Sequence, residues 1–115
     1  MSWNQSEVVE AREAILETAK GMLSGAVSPI VGARIIVKHR FKARLENDAD
    51  ILRFVGIASE TEALPLGDER KHWQPLALSG LQPAIDKAQS WARDVGARNC
   101  QNVLARSAGL LLWPD

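Results

Sequence analysis

Apolar residues recur at a helical period along nearly the whole chain, and nowhere do they alternate long enough to mark a strand. The clearest stripe comes first: Val8, Arg12, Ile15, Ala19 and Met22, joined by Val9, Leu16 and Leu23. A helix start is written just ahead of it. Asn4 and Glu7 stand at N-cap and N3 spacing, while Trp3 and Val8 occupy the two positions of a hydrophobic staple. Gly25 supplies the stop.

A second start follows at once, with Ser28 as cap and Pro29 in the first turn, where a missing N–H costs nothing. The short connection makes the first two helices antiparallel neighbours, and Ile30, Ala33, Val37, Phe41 and Leu45 are the positions expected to meet the first stripe. Asn47 and Asp48 break the pattern, and Asp48 caps a third helix expected to turn Ile51, Leu52, Val55 and Ala58 inward, with Gly56 as a weak point. From Ser59 to Gly67 the chain leaves helix, because Pro65 disfavours a helical Leu64 and Gly67 permits a left-handed turn. Asp68 then caps a short helical turn through Trp73, ended by Pro75, with Leu76, Ala77 and Leu78 as apolar cover.

The last helix is expected to begin near Pro83 and to present Leu81, Ala84, Ile85, Ala88, Trp91, Ala92 and Val95 on one face. After Gly96 the stripe passes to Cys100, Val103, Leu104 and Ser107, a turn of about 100° that a kink or break near Gly96 would explain. Gly109 closes this helix and leaves the apolar segment LLLWPD, which must dock either across the bundle or on a partner. The pattern as a whole predicts an all-α fold, a small bundle of four to five helices with an ordered central loop, in a single domain over residues 1–115.

Composition narrows the function classes. A chain of 115 residues with 46% hydrophobic and 24% charged residues has the profile of one soluble globular domain. The 14 basic residues balance the 14 acidic ones, so no overall field draws the protein to nucleic acid or acidic lipid. The single Cys100 cannot form an internal disulfide and reads as a small buried hydrophobe, which suits a reducing compartment. The opening MSWNQSEVVEAR lacks a signal-peptide pattern, and no segment approaches the roughly 18 uninterrupted apolar residues of a membrane span. The expectation is a cytoplasmic protein without membrane contact.

Candidate chemistry concentrates in the middle of the chain, FVGIASETEALPLGDERKHW, from Phe54 to Trp73. Glu69 and His72 have the i, i+3 spacing of di-iron bundle ligands, but the other histidine, His39, follows Ile36 at that offset, so half of the motif is missing. Neither a metal nor another cofactor is expected. Ser59, His72 and one of Glu60, Glu62 or Asp68 could supply a nucleophile, a base and an orienting acid. Yet no nucleophile elbow is present, and Ser59 with Glu62 fits a capping box as well. The run Lys38, His39, Arg40, Lys42 and Arg44 surrounds Phe41, but on a helical wheel its cations flank both sides of the apolar stripe. Nucleic acid is therefore the less favoured partner.

Tryptophan placement favours protein contacts. Trp91 falls on the expected core stripe, whereas Trp3, Trp73 and Trp113 lie at element ends, where large aromatics with one wet edge serve as interface anchors. The segment with Phe54, Ile57, Ser59, Glu60, Thr61, Leu64, Pro65, Gly67, Arg70 and Trp73 resembles a pattern of small bacterial helical proteins that carries no assigned activity. The resemblance covers about twenty residues and implies a bacterial cytoplasm.

The leading functional expectation is a non-enzymatic protein acting through protein contacts, of regulatory or toxin-neutralising type, with a homodimer as one form. Trp73, Leu112 and Trp113 are its anchors. The alternative is an enzyme or small-ligand binder using the loop from Ser59 to Trp73, with Glu60, Arg70 and His72 as a polar cluster against Trp73.

Overall fold

The computed structural model describes residues 4–107. It is all-α: helices α1 (Gln5–Ser24), α2 (Pro29–His39), α3 (Ala49–Glu60) and α4 (Pro75–Arg106), with a 3-10 helix Gly67–His72 between the last two. One buried cluster draws on all four α-helices, and α4 packs against each of the other three.

The expected helix starts hold. The Asn4 side chain accepts the Glu7 N–H at 2.9 Å, and the Ser28 hydroxyl accepts the Val31 N–H at 3.4 Å. Gly25 ends α1 with φ 87°, a left-handed position. Trp3, the other half of the expected staple, lies outside the described residues, as do Gly109, Leu112 and Trp113. The α1 stripe is buried as read, through Val8, Arg12, Ile15, Ala19 and Met22. It meets α2 closely at Gly32, where a Cβ would stand 2.4 Å from Met22 Cγ and Sδ. Arg12, only 4% exposed, keeps its charge solvated by donating from Nε to the Ala43 carbonyl at 2.9 Å.

The second helix stops sooner than its apolar period suggests. Beyond His39 the chain closes in a Schellman-type turn: Leu45 N–H donates to the Arg40 carbonyl at 2.9 Å and Arg44 N–H to the Phe41 carbonyl at 3.0 Å. The turn swings Ala43 and Leu45 into the core and leaves Phe41 51% exposed, with the Arg40 guanidinium 4.3 Å from its ring centre. Phe41 is thus not a core residue. The left-handed position that such a turn assigns to glycine is held by Arg44, at φ 58°. Replacing Arg44 by glycine and by alanine removes the same side chain twice, so the two variants differ in backbone cost alone. The glycine variant is expected to be more stable by about 1 kcal/mol in urea titration.

In α3 the inward face is rotated from the expected one. Ile51, Phe54 and Ile57 are buried, whereas Leu52 is 49% exposed and Val55 and Ala58 are half-buried. The cause sits on α4. Gly96 presents no side chain, and a Cβ there would lie 3.2 Å from Ile57 Cδ1, a tight approach, and 3.5 Å from Phe54 Cε1, so Ile57, with the Phe54 ring in contact beside it, packs over the bare glycine. Gly96 is accordingly neither a kink nor a break. It is a buried member of one unbroken stripe, Ile85, Ala92, Gly96, Cys100, Val103, and Trp91 falls off that stripe at 40% exposure.

The largest departure concerns where α4 begins. It starts at Pro75, not near Pro83, and Pro83 lies inside it. Proline in the first turn needs no N–H, and the carbonyl that Pro83 leaves without a helical donor belongs to the exposed Ser79, where water can reach it. The 3-10 helix is preceded by Leu66 as its N-cap, so Asp68 lies inside its first turn instead of before it.

Candidate binding surface at the free end of α4

The 32 residues of α4 span about 48 Å at the helical rise, equal to the 48 Å long dimension of the molecule. The other helices are shorter, and their ends fall level with its middle. Gly25 and Pro29, at the turn between α1 and α2, share a groove with Ala92 and Arg93, and Glu60, at the end of α3, shares one with Trp91. The Gln89 side chain accepts the Ile30 N–H at 3.0 Å and so caps α2 at the same level. Residues 75–88 therefore run on past three helix ends for about 20 Å, with the 3-10 helix alongside.

This projecting end is apolar. Leu76 is 86% exposed, the highest value among the large hydrophobic residues described, and Trp73 beside it is 41% exposed. Pro75 and Ala77 are also exposed. The expectation that Leu76 gives apolar cover to the core is therefore corrected: it points away, on the side of α4 opposite Ile85.

The central loop is held from α2. Arg34 donates from Nη2 to the Thr61 carbonyl at 2.7 Å and to the Leu64 carbonyl at 3.0 Å, and its Nη1 lies 3.6 Å from Glu69 Oε1. The Leu64 carbonyl thus finds a donor, and the Thr61 carbonyl, which also accepts the Leu64 N–H at 3.0 Å, a second one, which holds the loop where Pro65 and Leu66 are buried. Arg34 was not singled out from sequence. The signal available was a cation in mid-helix between the apolar positions Ala33 and Val37.

The polar cluster expected in this loop is dispersed. Glu60 faces a groove with Arg53, Gly56 and Trp91, whereas Arg70 borders a depression with Pro75, Leu78, Ser79 and Gln82. His72 is exposed and lines neither. Ser59 and Glu62 do share an open cleft of about 390 Å³ with Arg34 and Glu69, but His72 is not among its walls, so no nucleophile, base and acid assemble there. A more apolar groove of about 300 Å³ runs between Met22, Pro29, Ala92 and Cys100. Burial pushes the Cys100 thiol up to about 11, which keeps it protonated at neutral pH and poorly nucleophilic. Among the described residues no three His, Cys, Asp or Glu side chains gather as a metal site, and no helix is long and apolar enough to cross a membrane.

The basic run is likewise divided in its tasks. Arg40 donates to the Val37 carbonyl at 2.6 Å and stacks on Phe41. His39 titrates below its usual value, through burial and then the charges of Lys38 and Lys42. Comparison of the chain with protein-family models, with curated proteins and with solved structures finds no match.

Proposed function

We propose that this protein works by binding another polypeptide through the free end of α4, as a regulatory or toxin-neutralising protein of a bacterial cytoplasm, and not by catalysis. The single observation that carries the reading is the exposure of Leu76, in the first turn of α4, and of Trp73 just before it, at a helix end that no other helix among the described residues covers. Trp73 is of the type that supplies most of the energy in interfaces, Leu76 adds apolar area beside it, and a projecting helix end fits a complementary surface without rearranging the bundle. The competing reading, a ligand site in the loop from Ser59 to Trp73, has less support. Glu60 and Arg70 border different depressions and His72 lines neither, and the Arg34 guanidinium is already engaged by loop carbonyls and Glu69.

A photo-crosslinking residue placed at Leu76 tests this in cells that make the full chain, with Glu17, on the outer face of α1, as the control position. We expect one or a few discrete adducts from position 76, lost when Trp73 is changed to glutamine, and none from position 17. Equal labelling at the two positions, or none at either, contradicts the reading.

A further inference from the structure

Resting on that reading, we infer that the partner polypeptide meets this end of α4 with an acidic segment, one carboxylate held by Arg70 in the depression beside Pro75 and an apolar neighbour covering Leu76. Arg70 is half-buried and borders a depression of about 340 Å³ with Pro75, Leu78, Ser79 and Gln82, none of which carries a charge. Among the described residues it has no ion-pair partner. Two acids close by are engaged elsewhere: Glu69 Oε1 lies 3.6 Å from Arg34 Nη1 on α2, and Asp86 accepts the Gln82 amide N–H at 2.8 Å. A guanidinium partly withdrawn from water with no counter-charge is a ready seat for a carboxylate, which it can grip with two parallel hydrogen bonds. Leu76 follows Pro75 about 100° round the helix, so the two contacts adjoin.

The charge pattern of the whole end has the same sign. From Arg70 to Ile85 the chain holds no Asp or Glu, and Arg70, Lys71 and His72 stand together just before Trp73. An acidic segment crosses this surface without meeting a like charge, whereas a basic one is repelled by Arg70 and Lys71. The depression also offers acceptors. The Gln82 amide gives its N–H to Asp86 and keeps its oxygen, and Ser79 carries the carbonyl that Pro83 leaves without a helical donor. A peptide brings N–H donors for these along with its carboxylate, while the phosphodiester of an anionic lipid brings acceptors alone. A helix lying on a membrane also needs a row of large apolar residues on its outer face, and the exposed ones described on α4 are Leu76 and Trp91, far apart along it.

A phage-displayed library of random peptides, panned on the purified full chain, tests this, the selected peptides then being titrated by fluorescence anisotropy. We expect peptides with Asp or Glu beside an apolar residue, which fail to bind Leu76→Asp. Their affinity should fall about tenfold or more in Arg70→Glu, less in Arg70→Lys, and not at all in Lys20→Glu, a charge reversal at an exposed position of α1, with the thermal melts unchanged. Selected peptides that need Leu76 but are neutral or basic, or that bind Arg70→Glu as well as the original chain, overturn the inference and leave the contact surface standing. A library that yields no Leu76-dependent peptide overturns it too, and the crosslink from position 76, present or absent, then decides whether the polypeptide reading falls with it. Sedimentation of the chain with vesicles of phosphatidylcholine and phosphatidylglycerol, abolished by Leu76→Asp and Arg70→Glu, would assign this face to lipid and overturn both.

Discussion

Phe54→Ala is expected to lower the unfolding free energy by about 3–5 kcal/mol, the cost of emptying a fully buried aromatic site. Phe54 is 0% exposed and packs beside Ile57 against Gly96 of α4, inside a close-packed core that relaxes only partly into the emptied space. Against a total stability of about 5–15 kcal/mol for a domain of this kind, the variant should be close to unfolding at ordinary temperature. Leu52→Ala, on the same helix, is the counterpart. At 49% exposure Leu52 loses little on truncation, and we expect a change under about 1 kcal/mol. Urea midpoints of the two variants therefore report which face of α3 is inward. A larger loss at Leu52 than at Phe54 would contradict the packing.

The second large effect lies where α3 begins. Asp48 accepts the Asp50 and Ile51 N–H groups as N-cap, and it receives both Arg106 guanidinium nitrogens, at 2.7 and 2.9 Å, from the end of α4. The same arginine reaches Asp50 at 3.1 Å, and Asn99 and Asn102 donate to Asp50. Asp48 thus joins two elements far apart in sequence and caps one of them. Asp48→Ala should cost about 2–3 kcal/mol, combining a lost cap with the loss of charge-assisted bonds. Asp48→Asn, which can still cap but cannot pair, should cost less.

Partial burial alone would raise the Asp48 pKa, but the Arg106 hydrogen bond and charge, with the Ile51 and Asp50 N–H groups, outweigh it and hold the carboxyl below its ordinary value. With the folded pKa depressed below the unfolded one, the stabilisation is fully present above the unfolded value of 3.8 and is lost as pH falls through the lower folded value. The unfolding free energy should therefore decline below about pH 4, and Asp48→Ala should flatten that decline. An unchanged acid limb in the variant would mean that Asp48 is not the linked group.

Much of this fold was legible in the residues themselves, because local chemistry decides it. Asn4, Ser28 and Asp48 are helix caps whether or not a core exists, and Gly25 ends α1 by backbone freedom alone. The misreadings arose where a distant partner decides. Which face of α3 turns inward depends on Gly96, some forty residues later, and a helical period cannot choose between two neighbouring apolar faces. Phe41 and Leu45 looked equivalent until Arg44 took a left-handed conformation that propensity disfavours. Pro83 reads as a helix start because proline inside a helix is costly, yet at a solvent-exposed turn that cost is tolerable.

Of the candidate site, sequence picked out Trp73 but treated Leu76 as core cover, since exposure depends on how far α4 outruns its neighbours. The loop from Ser59 to Trp73 attracted attention for its carboxylates and histidine. Its fixed point is instead Arg34 of α2, which answers two carbonyl groups that no side-chain motif announces.

The claim on which the functional account turns is that the first turn of α4 stands in water in the free chain, open to a partner. Leu76→Cys in a Cys100→Ala background measures this by the rate of thiol labelling. We expect fast reaction, close to that of Glu17→Cys in the same background, since Leu76 is 86% exposed and Glu17 lies on the outer face of α1. Slow labelling at position 76 would place this end of α4 inside the fold and contradict the account.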